Sequence, residues 1–183
     1  QDLLKLARTI ANEKQYSLLV FTFYPQGQEL FVCEFAYLAT QEKKMEIFAQ
    51  MGVDEVLTIP FDERIAKVEP KAFAQEYIKQ KLNAQEVVVG FNYTFGYKGE
   101  GKAEDLKNWL DGDGIKVNIV PPHTVNGETV SSSLIRQSLL AGECKKANQM
   151  LGYPYSLKGE VVKGRQVGRT IGIPTANIAV WEQ

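Results

Sequence analysis

Four short apolar runs, each stopped by a proline or a glycine, constrain what this chain can fold into. They are rich in β-branched and aromatic residues and cover residues 18–24, 56–59, 87–89 and 115–120, followed by Pro25, Pro60, Gly90 and Pro121. Segments with apolar residues at helical spacing lie before and between them. Strands that alternate with helices predict the α/β class, with a parallel sheet that carries helices on both faces.

One predicted helix has an especially clear start and stripe. Pro70 suits the first turn of a helix, because the missing N–H would have no partner there. The apolar residues that follow recur at helical spacing and predict one buried face: Phe73, Ala74, Tyr77, Ile78 and Leu82.

A glycine-rich loop follows the third apolar run. Ligands of open α/β sheets bind beyond the carboxyl ends of the strands, which is where residues 90–101 are expected to lie. Four glycines there would let the backbone approach a ligand, and the aromatic residues beside them would suit stacking on a planar ring. A plain glycine-rich connection with packed aromatic side chains explains the same composition, so both interpretations remain open.

Three successive serines, Ser131 to Ser133, stand directly before an apolar helical segment. One serine suffices to cap a helix, since its hydroxyl accepts a hydrogen bond from a backbone N–H that has no other partner. The spare hydroxyls, the helix N-terminus and Arg136 one turn later would suit an anion such as a triphosphate. Helix capping alone is the alternative.

A third segment combines basic residues with glycines between Lys163 and Asn177. This pattern suits contacts with phosphate groups, and Thr175 with Asn177 offers two oxygen ligands for a nucleotide-bound Mg²⁺. A surface β-hairpin is the competing interpretation.

The composition and the distribution of residue types along the chain limit the partners and the domain organisation that we expect. The 183 residues carry 21 basic and 22 acidic side chains, which gives no basic surface for nucleic acid. No apolar run approaches the roughly 20 residues of a membrane span, so we expect neither nucleic acid nor a membrane as partner and a cytoplasmic location. Helical periodicity disappears after Tyr155, and closely spaced glycines follow. We therefore predict two domains, residues 1–152 and residues 153–183.

Four ordered motifs resemble those of the prokaryotic bifunctional riboflavin kinase/FMN adenylyltransferase family, often called FAD synthetase. They are G-F-N-Y-T-F-G, V-S-S-S-L-I-R-Q-S-L-L-A-G, A-N-Q-M-L-G-Y-P-Y and G-E-V-V-K-G-R-Q-V-G-R-T-I-G-I-P-T-A-N. The resemblance implies a Rossmann-like nucleotidyltransferase domain followed by the start of a β-barrel riboflavin kinase domain. It implies AMP transfer from ATP to FMN, giving FAD and pyrophosphate, and phosphorylation of riboflavin to FMN. Both reactions would need Mg²⁺.

The resemblance also implies residue roles. In the adenylyltransferase, ATP would be held by Ser131, Ser132, Ser133, Arg136, Gly90 and Asn92, with Ser132, Ser133 and Arg136 acting on the reacting phosphates. The flavin would contact Phe23, Pro25, Asn92, Phe95 and Gly96. In the kinase, the ATP phosphates would meet Gly164, Gly168, Arg169 and Thr175, while Thr175 and Asn177 would bind Mg²⁺. The family commonly has threonine at the position of Ser133, and serine keeps the hydroxyl.

The chain also departs from the family pattern. The G-x-F-D-G-x-H-x-G-H segment, whose histidines contact ATP phosphates in the family, is not in this sequence, and neither is most of the kinase barrel. We therefore expect a piece of a longer enzyme, incomplete at both ends, whose self-association is left open. Two alternatives remain: a non-catalytic flavin- or nucleotide-binding module, and a nucleotidyltransferase of another acceptor, such as pantetheine phosphate. The second ranks low, because those enzymes do not continue into a P-T-A-N segment.

Overall fold

The computed structural model describes residues 1–24, 37–164, 170, 172–173 and 175–180. Their contacts divide the chain into two compact units. The first is built from residues 1–24 and 41–129, and the second from residues 37–40 and the described residues from 130 onward. The domain boundary at residue 152 stays a prediction.

The first unit contains the four predicted strands, as two parallel pairs. Strand β1 (Leu19–Tyr24) pairs with β2 (Glu55–Pro60), and β3 (Glu86–Gly90) pairs with β6 (Lys116–Val120). Strand β2 ends at Pro60 and β3 ends at Gly90, as the apolar runs predicted. Tyr24 lies opposite Pro60 and Gly90 opposite Val120 in the register. The α/β class and the parallel pairing are confirmed. Among the described residues the pairs are hydrogen-bonded separately rather than as one sheet.

Helices alternate with these strands as the periodicity predicted. They are α1 (Asp2–Lys14), α2 (Gln41–Gln50), α3 (Glu63–Ala66), α4 (Pro70–Ala72) with the π-helix that continues it (Phe73–Lys81), and α5 (Ala103–Asp111). In the chain between β3 and β6, β4 (Thr94–Phe95) pairs antiparallel with β5 (Gly101–Lys102). A second short pair joins β7 (Thr124–Val125) to β8 (Glu128–Thr129).

The helix that begins at Pro70 is wider than expected. From Phe73 it continues as a π-helix, and it closes with the Leu82 N–H donating to the Tyr77 carbonyl five residues earlier. Apolar residues at positions 73, 77, 78 and 82 suit either helix type, so the sequence spacing could not separate them. Within this π-helix the rings of Phe73 and Tyr77 stack, with centroids 5.3 Å apart.

The core of the first unit is organised around the ring of Phe73, which is 2% exposed. It contacts four other aromatic rings that come from three different parts of the unit: Phe21, Phe23, Tyr77 and Phe95. Leu106 and Leu110 of α5 pack into the same cluster and are completely buried. Strand β1, the π-helix, α5 and the glycine-rich loop therefore share one core.

Helix α1 is fastened to the strands by charged side chains as well as by packing. Ala7 and Ala11 pack against Leu18 and Val88. At the carboxyl end of the helix, Lys14 pairs with Glu86, whose side chain is 4% exposed. Glu86 also accepts a hydrogen bond from the amide of Asn118 at 2.8 Å and lies 3.7 Å from the ammonium of Lys116.

The second unit contains two short helices and one hairpin. Helix α6 (Ser132–Leu140) packs against α7 (Cys144–Leu151) over a small core of Ile135, Ala147 and Met150. Gly152 ends α7 in the left-handed conformation with φ 75°. Strands β9 (Gly159–Val162) and β10 (Asn177–Val180) pair antiparallel. This pairing matches the hairpin interpretation, while a barrel stays a prediction.

In the part of the chain that the structure describes, every helix is too short or too polar to traverse a lipid bilayer.

Replacing Phe73 by alanine tests whether its ring organises the first unit. We expect Phe73→Ala to lower the free energy of unfolding by about 3–5 kcal/mol, because it removes a buried ring and leaves a cavity among four others. Urea denaturation measures the change. Phe91→Ala is the matched control, since Phe91 is 49% exposed and its loss should cost well under half as much. Equal losses would contradict the central role of Phe73.

Glu86 should make the fold sensitive to acid. Burial acts to raise the pKa of Glu86, but hydrogen bonds from Lys14 and Asn118 and the charges of Lys14 and Lys116 outweigh it, so this pKa lies below its usual value. The ionised carboxylate therefore adds stability at neutral pH that is lost as the pH falls below about 4.

We expect Glu86→Gln to be less stable than the unaltered chain at pH 7, with a difference that shrinks in acid. Urea denaturation at pH 7 and at successive acid pH values measures it, with the exposed Glu76→Gln as control. A difference that stays constant with pH would show that the charge of Glu86 contributes nothing.

Candidate functional site

A tight turn follows β3 at the carboxyl end of the strand. The Tyr93 N–H donates to the Gly90 carbonyl at 3.0 Å, and the Phe91 N–H donates to the Val120 carbonyl at 2.9 Å. Phe91 and Asn92 occupy the corner of this turn and both are exposed. A Cβ on Gly90 would come no closer than 3.4 Å to its nearest neighbour, the amide oxygen of Asn92. Since that is ordinary contact, packing among the residues that the structure describes does not require glycine at position 90.

Two other glycines of the loop are required by packing against Pro70. A Cβ on Gly96, which has φ 72°, would lie 2.6 Å from the Pro70 Cα, and one on Gly101 would lie 2.8 Å from the Pro70 Cβ. The Tyr97 N–H also donates to the Val68 carbonyl at 2.7 Å. The loop is therefore seated on the start of α4. For Gly96 and Gly101, this close protein contact accounts for the glycine, and the predicted contact of Gly96 with flavin stays a prediction.

The aromatic residues predicted to contact flavin lie in or beside the core. Phe95 is 6% exposed and packs against Phe73, Tyr93 and Trp109. Phe23 is half-buried among the rings of Phe21, Phe61 and Phe73. This packing agrees with the interpretation of the loop as a connection with packed aromatic side chains, and the flavin roles of both residues stay predictions.

Burial raises the pKa of Tyr93 to about 12. Its phenol therefore stays neutral at every physiological pH. Tyr93 stacks on Phe95 with ring centroids 5.5 Å apart, so it anchors the turn that carries Asn92.

The serine run forms the start of α6 in the second unit. Ser131 is the N-cap residue, and its hydroxyl accepts a hydrogen bond from the Leu134 N–H at 3.2 Å. Ser132 and Ser133 occupy the first two positions of the helix and are exposed. Arg136, one turn later, is half-buried. The capping prediction is confirmed for Ser131, and two hydroxyls remain beyond what the cap uses, at the helix end that favours anions.

The hairpin of the second unit brings two predicted kinase residues together. The side-chain amide of Asn177 occupies the space where a Cβ of residue 164 would stand, so Gly164 is required there. Thr175 and Asn177 are exposed. Their hydroxyl and amide oxygens are of the kind that Mg²⁺ prefers, so this donor set fits the ion. Three other predicted residues, Pro25, Gly168 and Arg169, lie outside the described residues.

The predicted adenylyltransferase residues thus occur in both units. Phe23, Gly90, Asn92, Phe95 and Gly96 belong to the first, and Ser131, Ser132, Ser133 and Arg136 belong to the second. Across the ranges that the structure describes, no group of three or more histidine, cysteine, aspartate or glutamate side chains is arranged to hold a metal ion. The predicted metal ligands are of another type, a threonine and an asparagine.

Pro70 is the residue whose contribution the sequence did not reveal. It was recognisable as a helix start, whereas its contact with Gly96 and Gly101 joins positions more than twenty residues apart. No local sequence pattern reports such a contact.

These features define a mixed α/β protein whose polar and glycine-rich segments lie at strand and helix ends. The family model of FAD synthetase matches residues 1–134, and that of riboflavin kinase matches residues 151–183. The chain therefore belongs to the FAD synthetase family, and it continues into the start of a riboflavin kinase domain.

Curated relatives carry both names. A Listeria monocytogenes protein called bifunctional riboflavin kinase/FMN adenylyltransferase is 40% identical to this chain, and the match covers 100% of this chain and 58% of the relative. A Bacillus subtilis protein of the same name is 35% identical, and the match covers 98% of this chain and 57% of the relative. The corresponding protein of Escherichia coli K12 is 31% identical over 93% of this chain and 55% of its own length. The chain thus spans a little over half the length of the curated relatives it matches.

A solved structure shares the fold. The crystal structure described as a macrolide-efflux protein from Streptococcus pneumoniae superposes with a TM-score of 0.88 at 34% sequence identity, over 98% of this chain and 59% of that one.

Replacing Gly96 by alanine tests whether close packing against Pro70 requires glycine at this position. Gly96 has φ 72° and ψ −172°, a backbone conformation that is essentially restricted to glycine and costs about 1–3 kcal/mol in another residue, and the clash with Pro70 should add about 1–3 kcal/mol. Gly114→Ala is the matched control, because Gly114 has φ 80° and a Cβ added there would meet nothing within 4 Å. Urea denaturation should show a larger loss for Gly96→Ala. Equal losses would mean that the loop yields without cost.

Proposed function

We propose that the protein containing this chain makes FAD by transferring AMP from ATP to FMN. The FMN phosphate oxygen attacks the α-phosphorus of ATP, a new P–O bond forms, and the bond to the departing pyrophosphate breaks. The main support is the FAD synthetase match, which runs over residues 1–134 and includes both the turn at Asn92 and the serine-capped start of α6. The riboflavin kinase match from residue 151 supports a second activity, phosphorylation of riboflavin to FMN by ATP.

The described residues suit these roles by their chemistry. The hydroxyls of Ser132 and Ser133 and the N-terminus of α6 favour phosphate oxygens, and the guanidinium of Arg136 can stabilise the charge that develops on pyrophosphate. The exposed amide of Asn92 can donate to and accept from a ring edge. In the second domain, Thr175 and Asn177 would hold Mg²⁺ beside the ATP phosphates. When bound, the ion would neutralise charge that develops on the transferred phosphoryl group.

Localisation and partners follow from this chemistry. ATP, FMN and riboflavin are soluble small molecules, so we propose a cytoplasmic enzyme whose partners are its substrates. A non-catalytic binding module on the same scaffold remains the alternative.

The decisive experiment incubates the intact protein with Mg²⁺ and ATP together with either riboflavin or FMN. Chromatography then resolves riboflavin, FMN and FAD. We expect FAD from FMN, and both FMN and FAD from riboflavin. Flavin binding without either product would support the binding module and reject the proposed function.

Arg136→Ala should separate the two activities. If its guanidinium stabilises the departing pyrophosphate, its loss should lower the rate of FAD formation from FMN by about 10²–10³-fold, the effect of removing one charge-stabilising donor. Phosphorylation of riboflavin should be unchanged. Gln137→Ala, at the exposed neighbouring position of α6, is the matched control and should change neither rate. Thr175→Ala should show the reverse selectivity, and equal loss of both activities in either variant would rule out separate sites.

A further inference from the structure

The turn after β3 holds its corner residues in place. One hydrogen bond closes the turn, from the Tyr93 N–H to the Gly90 carbonyl, and a second extends the β3–β6 ladder from the Phe91 N–H to Val120. Tyr93 is further fixed by its stacking on Phe95. The backbone of Phe91 and Asn92 is therefore anchored on both sides, while their side chains face solvent.

Phe91 is an apolar side chain at a place where ligands bind. A single exposed phenylalanine is ordinary on a protein surface and by itself indicates nothing. This one, however, lies at the carboxyl end of a parallel strand, where open α/β sheets bind their ligands. It also adjoins Asn92, the predicted ligand residue. Its position, rather than its exposure, is what indicates a role.

The other aromatic candidates are less suited to offer a ring face. Phe95 is nearly completely buried, and Phe23 already contacts three other rings. A ligand could stack on either only if the aromatic cluster opened. Tyr24 is exposed at the end of β1, but the residues after it lie outside the described ranges. Among the described residues, Phe91 is therefore an exposed aromatic side chain at the end of a strand, and hydrogen bonds hold the backbone on both sides of it.

The chemistry of the turn suits an uncharged planar ring. Residues 90–95 contain no acidic or basic side chain, and the Tyr93 phenol stays neutral because burial raises its pKa to about 12. Phe91 offers a ring face, which gains by stacking, and Asn92 offers an amide that can donate and accept hydrogen bonds. A heteroaromatic ring presents both a flat face and a polar edge.

We propose that Phe91 is a substrate-binding residue whose ring stacks on the heteroaromatic ring of a substrate while the Asn92 amide contacts the edge of that ring. This inference rests on the proposed function, whose substrates carry two such rings, the isoalloxazine of FMN and the adenine of ATP. A ring contact made equally before and during the reaction lowers KM and leaves kcat unchanged. Phe91 thus governs affinity for one substrate rather than the rate of phosphoryl chemistry.

The test is Phe91→Ala in the intact protein, with KM measured separately for FMN and for ATP. Loss of the stacked ring should raise one of the two KM values by roughly 5- to 100-fold, the effect of losing base stacking on an aromatic side chain. The value of kcat should stay within about twofold. A rise for FMN alone identifies the isoalloxazine, and a rise for ATP alone identifies adenine. Phe91→Tyr keeps a ring face and should restore the KM.

Controls separate this inference from a loss of fold and from failure of the proposed function. Tyr16→Ala removes a partly exposed aromatic side chain before the start of β1 and should leave both KM values unchanged. If Phe91→Ala leaves both KM values unchanged, or if Phe91→Tyr fails to restore them, the inference is wrong while the function stands. If the unaltered protein forms no FAD, the proposed function fails. Fluorescence titration with FMN and calorimetry with ATP then compare it with Phe91→Ala, and equal affinities for both ligands overturn the inference.

Discussion

Burial of the Phe73 ring is the interaction on which the first unit depends. Its neighbours are Phe21 and Phe23 from strand β1, Tyr77 from the π-helix and Phe95 from the glycine-rich loop. Because a close-packed interior has no spare volume, each of these elements restricts the position of the others. The loop is therefore part of the core, although its glycines and its position after a strand are typical of a surface segment.

This arrangement divides the loop into a part that packs in the core and a part whose side chains are exposed. Phe95 is held in the aromatic cluster, and Gly96 and Gly101 seat the backbone on Pro70. In the turn before them, the side chains of Phe91 and Asn92 are exposed, and backbone hydrogen bonds hold the turn in place. A binding site gains from such an arrangement, since side chains on a rigid support lose little freedom when a ligand arrives.

The serine run has a confirmed role as a helix cap, while its role in binding an anion stays a prediction. Ser131 caps α6, so the structural interpretation holds for this residue. The capping geometry leaves Ser132 and Ser133 exposed at the end of the helix that attracts anions. In the same way, Gly164 is required by its contact with Asn177, whether or not the hairpin meets a nucleotide.

The sequence by itself determined the α/β class, the strands that end at Pro60 and Gly90, and the helix that starts at Pro70. These features depend on local rules, namely the period of apolar residues and the backbone limits of proline and glycine. The motifs also sufficed to indicate the family. Only the tertiary structure decided that the predicted α-helix becomes a π-helix after Ala72, that Phe95 is buried, and that close contact with Pro70 requires glycine at position 96. The spacing of the apolar residues fits either helix type, so it could not reveal the π-helix. The burial of Phe95 and the contact of Gly96 with Pro70 join residues distant in sequence, which no local pattern records.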